Sequence, residues 1–374
     1  MAWLQGLARR LPDGVPVDVG LEGDRLRLAP HDGAAERDLW VGPGWVDVQV
    51  NGFAGVDAND PATSPAGFAR MTTALRSHGV TRYLPTVITA ELPRMAACLR
   101  AAVRAIESEG DVADAVPGLH LEGPFLSPAD GARGAHPAAF VRPADTATFD
   151  DLQAAAGGRI RLLTLAPEVP GALALIAHAA RQGVVVALGH TNADAATIAA
   201  AVDAGARLST HLGNGTPALL PRHDNVIWTQ LGEPRLTASA IFDGHHLPPA
   251  VMRVFAAVKG PERLVLTSDA VALAGMPPGV YRTPVGGEVE LHASGRLTLR
   301  GTPYLAGSAS SLADGVAHAV REAGVAVADA WAMVSTTPSR LLGLADRGDL
   351  TVARVSADGV TVLATRAAGR AAAT

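Results

Sequence analysis

Short runs of apolar, β-branched residues alternate along most of the chain with alanine-rich stretches whose apolar positions recur at helical spacing. The runs predict eight strands, at residues 45–50, 83–88, 118–121, 160–165, 184–188, 207–211, 236–242 and 264–268. Helices are predicted between most of them, at residues 65–78, 93–109, 171–182, 193–204 and 249–258. Strands that alternate with helices form parallel sheets, and eight such units predict an α/β protein with a closed (β/α)8 barrel, the TIM-barrel fold.

The two ends of the chain and one internal segment depart from this alternation. Residues 15–28 and 349–365 alternate apolar and polar positions at period two, with turn signals at Gly23-Asp24 and Asp358-Gly359. They predict a small β-sandwich built from both termini, with residues 1–41 and 346–374 in one domain and residues 42–345 in the barrel. Residues 285–300, with a turn at 293–295, predict a hairpin inserted over the barrel mouth.

Composition and charge exclude several classes of protein. Hydrophobic residues make up 48% of the 374 residues, which excludes a disordered chain. The net charge is −5 and the arginines are scattered, so we expect no nucleic-acid partner. The apolar runs fall short of the roughly 18 residues of a membrane span, and the amino terminus does not resemble a signal peptide. We therefore expect a cytoplasmic protein that does not bind membranes.

The scarcity of two residue types narrows the possible chemistry. Cys98 is the only cysteine, which excludes an internal disulfide and a cysteine-ligated zinc. Lys259 is the only lysine and lies in a turn-like segment, residues 258–261. Its position argues against a Schiff base, a lysine-containing phosphate loop and a carboxylated lysine between two metals. Any metal must therefore bind to histidine, aspartate and glutamate.

Polar residues follow the predicted strands at their carboxyl ends, the face on which barrel enzymes build active sites. They are Gln49, Asn51, Thr86, His120, Glu122, Glu168, His190, His211, Asp243, His246 and Asp269. One polar residue at such a place is more often structural, because loops need polar residues in any case. Their recurrence at strand after strand favours an active site.

Glu122, His190 and His211 form the best candidate metal site. Each directly follows an apolar strand, and two imidazoles with one carboxylate leave a position for water, as in catalytic zinc sites. For a single histidine, a hydrogen-bonded loop position is the simpler explanation, but three ligands on one rim favour ligation. His120 shares a side of its strand with Glu122. It either supports that ligand or is a buried, hydrogen-bonded histidine.

Asp269 follows the eighth predicted strand, where a carboxylate can take a proton from water and return it to a leaving group. The alternative role is a helix N-cap, but its place beside the candidate metal site favours catalysis. His136 and residues 222–225 lie in loops beyond the strands. They suit binding of a phosphate or another anion, or they are solvated charges.

Nine segments in fixed order resemble the amidohydrolase superfamily and, within it, the N-acetylglucosamine-6-phosphate deacetylase family. They are PGWVDVQVNG (43–52), GLHLEGPF (118–125), GAH (134–136), LAPE (165–168), GHTNA (189–193), THL (210–212) with Asn214, DGHH (243–246), SDA (268–270) and LAGS (305–308). The segments run from about residue 41 to residue 345, so the resemblance covers nearly the whole chain.

The resemblance implies a divalent metal ion, usually zinc, held by Glu122, His190 and His211. It implies that Asp269 acts first as general base and then as general acid. Gln49 and Asn51 stand where many superfamily members carry a His-x-His pair for a second metal. One metal ion per subunit is therefore implied.

The resemblance also indicates a substrate site. Its residues would be His136, Asn214, Gly215, Arg222, His246, Ala306 and Gly307. His136 would also assist catalysis by stabilising the oxyanion, and Arg222 would reach the sugar phosphate from the other subunit of a homodimer. The implied reaction converts N-acetyl-D-glucosamine 6-phosphate to glucosamine 6-phosphate and acetate.

The chain departs from the family at three places. It has Gly213-Asn214-Gly215-Thr216 where aromatic-Asn-Ala-Met is common, His223-Asp224-Asn225 in place of Glu-Pro-Gly, and Thr337-Pro338-Ser339 in place of Asn-Pro-Ala. Two alternatives therefore stay open. One is deacetylation of another amino sugar, such as N-acetylgalactosamine 6-phosphate, or of a small N-acyl amide. The other is a catalytically silent barrel that binds a sugar.

Overall fold

The computed structural model describes residues 2–22, 25–31, 38–283 and 287–367. The predicted Gly23-Asp24 turn lies outside the described residues. So do residues 285 and 286 of the predicted hairpin and residues 1, 32–37 and 368–374 of the predicted terminal domain.

The strands and helices account for most of the described chain. The strands are β1 (Ala2–Arg10), β2 (Pro16–Glu22), β3 (Arg25–Pro30), β4 (Leu39–Pro43), β5 (Trp45–Val50), β6 (Gly52–Phe53), β7 (Val56–Asp57), β8 (Val80–Ile88), β9 (Leu119–Glu122), β10 (Ile160–Leu165), β11 (Val185–Leu188), β12 (Ala206–Ser209), β13 (Thr237–Ala240), β14 (Leu264–Leu266), β15 (Gly279–Thr283), β16 (Gly287–Leu291), β17 (Leu297–Leu299), β18 (Leu350–Ser356) and β19 (Gly359–Arg366). The helices are α1 (Pro65–Ser77), α2 (Leu92–Ser108), α3 (Gly110–Ala115), α4 (Thr146–Ala155), α5 (Ala172–Arg181), α6 (Ala195–Ala204), α7 (Val226–Gly232), α8 (Pro249–Lys259), α9 (Leu312–Arg321), α10 (Val327–Val334) and α11 (Thr336–Leu341), with a 3-10 turn at Ala138–Phe140.

Eight parallel strands form the barrel, in the order β5, β8, β9, β10, β11, β12, β13 and β14. A parallel bridge between Val50 and Ala270 joins the end of the last strand to the first and closes the sheet. All eight strands overlap the predicted ones, so the predicted (β/α)8 barrel is confirmed. Among the helices that the structure describes, none combines the length and the apolar character that a bilayer span requires.

Buried aliphatic side chains fill the barrel interior below the rim. Val46, Leu84, Leu162, Leu208 and Val265 form this core, and each precedes a polar rim residue in its own strand or in the loop after it. Burial of such a side chain contributes about 1.5–3 kcal/mol. The polar residues at the carboxyl ends therefore lie directly above a packed apolar core, and water solvates their charges poorly.

Helix α1 shows how the sequence places the outer helices. Ser64 caps it by accepting a hydrogen bond from the Gly67 N–H at 3.2 Å, and Pro65 follows as its first residue. Phe68, Met71 and Leu75 recur at helical spacing, and all three are buried. The periodic pattern therefore predicts both the helix and the face that it packs against the core.

The sequence predicted that Lys259 lies in a turn. That prediction is wrong, because Lys259 is the last residue of α8. The helix ends there because Gly260 follows with a φ of +64°. Lys259 is 3% exposed, and its Nζ donates to the carbonyls of Gln230, Glu233 and Leu236 at 3.0, 2.9 and 2.8 Å. Burial lowers the pKa of Lys259 to about 8. Its contacts indicate a structural role.

Strands from both termini form one six-stranded sheet, in the order β19, β18, β4, β1, β2 and β3. Its two edge strands, β3 and β19, contact each other, so the sheet rolls around a small apolar core, as the predicted sandwich requires. Strands β1 and β4 were not predicted. Arg82 in β8 and Asp349 before β18 form a buried ion pair at 3.1 Å that attaches this sheet to the barrel.

The predicted hairpin is part of a three-stranded antiparallel sheet of β15, β16 and β17, which we call the lid. The sequence did not predict β15. Residues 304–306 continue the lid. The Leu299 N–H donates to the Tyr304 carbonyl, the Ala306 N–H donates to the Leu297 carbonyl, and Thr298 and Leu305 form an antiparallel bridge. Leu291 and Leu297 pack with Leu273 in a separate apolar cluster, so the lid has its own small core above the barrel.

Candidate active site

The carboxyl ends of the barrel strands open into a cavity of about 640 Å³ that is roofed by the lid. The predicted site residues that line it are Asn51, Glu122, His136, His190, His211, Asn214, Gly215, His246, Asp269, Ala306 and Gly307. Gln49 lies directly below, where it hydrogen-bonds two of them. Residues far apart in the sequence therefore meet in one place, as the barrel topology predicts.

Glu122, at the end of β9, is the centre of the cluster. Its Oε1 lies 3.1 Å from His190 Nε2 and 3.0 Å from His211 Nε2. Burial alone would raise the pKa of Glu122, but the hydrogen bonds from His190 and His211 lower it well below its usual range. Glu122 is therefore an ionised carboxylate facing two imidazoles.

The orientation of His190 is fixed by its surroundings. Its Nδ1 donates to the Ala132 carbonyl at 3.0 Å, which leaves Nε2 directed at Glu122. Gly134 and Gly215 approach the ring so closely that a Cβ at either would lie 3.2 or 2.8 Å from Nδ1. A ring held by a backbone carbonyl on one nitrogen is the usual arrangement of a metal-binding histidine. Gly215 therefore shapes the site through His190.

His136 joins this cluster. Its Nε2 lies 3.2 Å from His190 Nε2, and ligand atoms of Glu122, His136 and His190 all lie within 4.8 Å of one another. Burial and the neighbouring His190 lower the pKa of His136 to about 3, so the ring is neutral at physiological pH. His136 was predicted only as a substrate and catalytic residue, but its geometry also suits a metal ligand.

Asp269 lies beside the cluster and is held by two amide groups. Its Oδ1 accepts hydrogen bonds from Gln49 Nε2 at 2.9 Å and from Asn51 Nδ2 at 2.7 Å. Gln49 Nε2 also donates to Glu122 Oε2 at 3.1 Å and so bridges the two carboxylates. Burial and the charge of Glu122 raise the pKa of Asp269 to about 7. A carboxylate with this pKa is suited to move protons near neutral pH.

Three of these side chains sit on strained backbone. His190, His211 and Asp269 have φ angles of +51°, +27° and +48°, and Ala54 is the one other non-glycine residue with positive φ in the described chain. Such a conformation costs about 1–3 kcal/mol at a non-glycine residue and persists where the surrounding structure imposes it. The concentration of strain at three rim residues marks the site independently of residue type.

A second polar pair lies on the adjoining wall. Asp243 Oδ2 accepts a hydrogen bond from His246 Nδ1 at 2.7 Å, and its Oδ1 accepts from the backbone N–H groups of His245 and His246. Although burial opposes it, the hydrogen bond and charge of His246 lower the pKa of Asp243 to about 2. The Nδ2 of Asn214 on the same rim is buried and has no protein partner. These groups are placed to bind a polar ligand.

Several predicted rim residues do not reach the cavity. His120 is buried between Thr86 and Thr164, with ring nitrogens 3.3 and 2.8 Å from their hydroxyls, and burial lowers its pKa to about 4. It is therefore the buried, hydrogen-bonded histidine of the two predicted alternatives. Glu168 instead accepts a hydrogen bond from the Thr191 hydroxyl, and this contact positions the loop after His190.

Arg222 is exposed and does not line the cavity of its own chain, as far as the described residues show. The sequence also missed residues that do line the cavity. They are Asp57 at the end of β7, Asn59 just after it, Arg296 on the lid, and the apolar residues Val271, Leu273, Val289 and Leu299. The polar run Asp57-Ala58-Asn59-Asp60 was a visible signal for the first two. No sequence signal separates Arg296 from other surface arginines.

Comparison with known proteins gives a consistent result. The sequence profile of the amidohydrolase family matches residues 40–354. The N-acetylgalactosamine-6-phosphate deacetylase of Escherichia coli O157:H7 is 35% identical over 348 residues, which cover 91% of this chain and 86% of that protein. The N-acetylglucosamine-6-phosphate deacetylase of Bacillus subtilis (strain 168) is 33% identical over 323 residues, covering 86% of this chain and 80% of that protein.

The solved structure of N-acetyl-D-glucosamine-6-phosphate deacetylase from Mycobacterium smegmatis superposes with a TM-score of 0.81 and 31% identity, covering 95% of each chain. Sequence and structure thus agree over nearly the whole length, including the strands that carry the cavity residues. The chain belongs to the amidohydrolase family, in its branch of N-acetylhexosamine-6-phosphate deacetylases.

Proposed function

We propose that the protein hydrolyses the acetamido group of N-acetyl-D-glucosamine 6-phosphate, giving glucosamine 6-phosphate and acetate. The observation that carries this proposal is the contact network in which Gln49 joins Asp269 to Glu122 and its histidines at the mouth of the barrel. It combines a candidate metal site with a proton-transfer carboxylate, the two elements that hydrolysis of an unactivated amide requires.

The residues present fit a single divalent cation, and zinc is the one we propose. Glu122, His190 and His211 would hold it, with His136 within reach, and imidazole and carboxylate ligands suit zinc. The amide N–H groups of Gln49 and Asn51 point at carboxylates, so these side chains offer donors and not ligands. When bound, the cation polarises the amide carbonyl and acidifies the attacking water.

Asp269 would accept the proton of the attacking water and return it to the departing amine. Its position beside the cluster and its pKa of about 7 support both transfers. The neutral ring of His136 would donate a hydrogen bond to the carbonyl oxygen as it gains negative charge. Asn214, Gly215, His246, Ala306 and Gly307 would contact the sugar, because they line the same cavity.

A second candidate substrate is the 4-epimer, N-acetylgalactosamine 6-phosphate. The relative from Escherichia coli O157:H7 is named for this substrate and is as similar to this chain as the relative named N-acetylglucosamine-6-phosphate deacetylase. Gly213 and Gly215, where the family commonly has larger residues, alter the floor on which the sugar ring would rest.

We also propose a homodimer in which Arg222 enters the partner's cavity and binds the phosphate. Arg222 is exposed in its own chain, and its neighbours Leu219 and Trp228 are large apolar residues that are 91% and 50% exposed. Exposed apolar side chains around one arginine are typical of a protein interface.

A substrate panel tests the proposed activity. Purified protein is assayed for acetate release from N-acetylglucosamine 6-phosphate, N-acetylgalactosamine 6-phosphate, both sugars without phosphate, and a small N-acyl amide. We expect the highest kcat/KM for N-acetylglucosamine 6-phosphate. Higher kcat/KM for the 4-epimer would assign the second candidate. Sugar binding without acetate release from any compound in metal-loaded protein would indicate the catalytically silent barrel.

A further inference from the structure

Arg296 is the one arginine or lysine among the cavity-lining residues, within the part of the chain that the structure describes. It ends the turn between β16 and β17, on the lid, and nothing in the sequence pattern distinguished it. We infer that Arg296 binds the anionic group of the substrate from within the same chain and sets the preference for phosphorylated sugars. This inference rests on the proposed function, since it names a phosphate-binding residue for that site.

The charges of the cavity call for such a group. Asp57, Glu122 and Asp269 line the cavity and contribute acidic side chains. The histidines beside them are bound to carboxylates, since His190 and His211 contact Glu122. An incoming phosphate dianion would be repelled by these carboxylates unless a fixed positive charge lies near its binding position. Arginine stays protonated at any pH at which the enzyme works.

The lid holds Arg296 in place. Its Nη2 donates to the Pro303 carbonyl at 2.8 Å, and its backbone carbonyl accepts from the His292 N–H at 2.9 Å. A guanidinium group has five N–H donors, so one contact to Pro303 leaves several for a ligand. A side chain that is held in advance loses less entropy when it binds phosphate, and the planar guanidinium can donate two parallel hydrogen bonds.

A hydrogen bond places this turn beside a predicted substrate residue. His245 Nε2 donates to the Ser294 carbonyl at 3.1 Å, which ties the lid turn to the loop that carries His246. His246 lines the cavity and is oriented by Asp243. Arg296 and His246 both line the cavity, and this hydrogen bond joins the two elements that carry them, so the proposed anion site lies between these elements.

Arg300 provides a matched control on the same lid. It is exposed, and its Nη1 forms an ion pair with Glu288 at 2.9 Å. It does not line the cavity, within the described residues. Arg300→Ala removes the same charge from the same small sheet as Arg296→Ala, but away from the proposed anion site.

The test compares Arg296→Ala, Arg296→Lys and Arg300→Ala on N-acetylglucosamine with and without the 6-phosphate. We expect Arg296→Ala to raise KM for the phosphorylated sugar by about 10-fold to 100-fold, the range for loss of one charge-assisted hydrogen bond. KM for the neutral sugar should change less than about threefold. Arg296→Lys should recover part of the affinity, because it keeps the charge without the two-pronged geometry.

Inorganic phosphate is a second probe that does not depend on turnover. It should inhibit the wild type and Arg300→Ala competitively with equal strength, and Arg296→Ala about 10-fold more weakly. An unchanged KM for the phosphorylated sugar in Arg296→Ala would overturn the inference. Equal losses on both sugars, or the same loss in Arg300→Ala, would overturn it as well, because they would indicate damage to the lid.

The outcomes separate this inference from the proposed function. Acetate release by the wild type tests the function alone, whereas the difference between the Arg296 and Arg300 variants tests the inference alone. Arg296 is also distinguishable from Arg222. Chains with Arg296→Ala should not regain affinity when they form heterodimers with Asp269→Asn chains, because the missing arginine belongs to the same site as the intact Asp269.

Discussion

Replacing Asp269 with asparagine removes the proposed proton-transfer group and little else. An asparagine of the same shape can still accept the hydrogen bonds that Gln49 and Asn51 donate to Oδ1 at 2.9 and 2.7 Å. The substitution also leaves Glu122 and the histidines in place. The change in rate therefore measures the carboxylate itself.

The expected loss of kcat is at least about 10³-fold. General acid–base catalysis contributes about 10²–10⁴ for each transfer, and Asp269 is proposed to take part in two. Proton abstraction requires the ionised carboxylate, so kcat/KM of the wild type should fall as pH decreases through the pKa of Asp269. The protein groups alone set that pKa at about 7, and a bound divalent cation would lower it. The acidic limb should therefore lie below pH 7 and be absent from Asp269→Asn.

The thermal stability of the Asp269→Asn variant serves as the control for correct folding. The pKa of Asp269 in the folded state, about 7, is above its unfolded value of about 4. The fold therefore binds this proton more tightly than the unfolded chain does, and ionisation lowers stability as pH rises between these values. After chelation of metal at pH 8, Asp269→Asn should melt at the same temperature as the wild type or higher.

Turnover and thermal denaturation together decide the outcome. The assay is acetate release from pH 5 to pH 9, with metal content measured on the same samples. An Asp269→Asn variant with full metal content and a kcat within about tenfold of the wild type would refute the assignment and move the base to another residue. A lower melting temperature after chelation would show that Asp269 stabilises the fold.

Three further predictions follow from the same contacts. Elemental analysis should give one metal ion per chain, and His190→Asn or His211→Asn should lose both the metal and turnover. Arg222→Ala should raise KM for the phosphorylated sugar by about 10-fold to 100-fold, and mixing it with Asp269→Asn should restore partial activity in heterodimers. Lys259→Met should lower the free energy of unfolding in urea by about 2–4 kcal/mol, because it leaves buried carbonyls without a donor.

Each of these predictions has a contrary result. Two metal equivalents at full activity would contradict the single site, and metal retained in either histidine variant would mean that the ligands are misassigned. Heterodimers without recovered activity would place Arg222 in its own chain's site or outside any site. A Lys259→Met variant as stable as the wild type would show that water replaces the ammonium group at the three carbonyls.

The periodic pattern was sufficient for the barrel but not for the shorter elements. Each barrel strand is a buried apolar run, and helices such as α1 carry two or more turns of periodic apolar positions, so both leave a clear signal. Helix α7 has seven residues, too few for a repeating pattern to emerge. In strand β15 partly buried and exposed positions do alternate, but none is fully buried and the apolar Val280 is on the exposed side, so the residue types do not reveal the strand.

The site was predictable where residue type and topology coincide. Glu122 ends β9, and His190, His211 and Asp269 follow β11, β12 and β14. Closure of the barrel is enough to bring these strand ends together. Contacts that depend on loop conformation were not predictable. His136 reaches His190 through a loop of irregular structure, and Arg296 enters the cavity because an inserted sheet folds back over the barrel. The positive φ angles at the rim are likewise invisible in the sequence.

The side-chain amide of Gln49, in the first barrel strand, holds the neighbouring carboxylates of Glu122 and Asp269 together. Gln49 donates through one nitrogen to both Glu122 and Asp269, which holds them close without adding a charge between them. Their pKa values nevertheless shift in opposite directions. Despite burial, hydrogen bonds from His190 and His211 lower the pKa of Glu122, whereas burial and the charge of Glu122 raise the pKa of Asp269. The environment alone thus separates the two carboxylates, as the proposed roles require: an ionised Glu122 to hold the cation, and an Asp269 that can accept and release a proton.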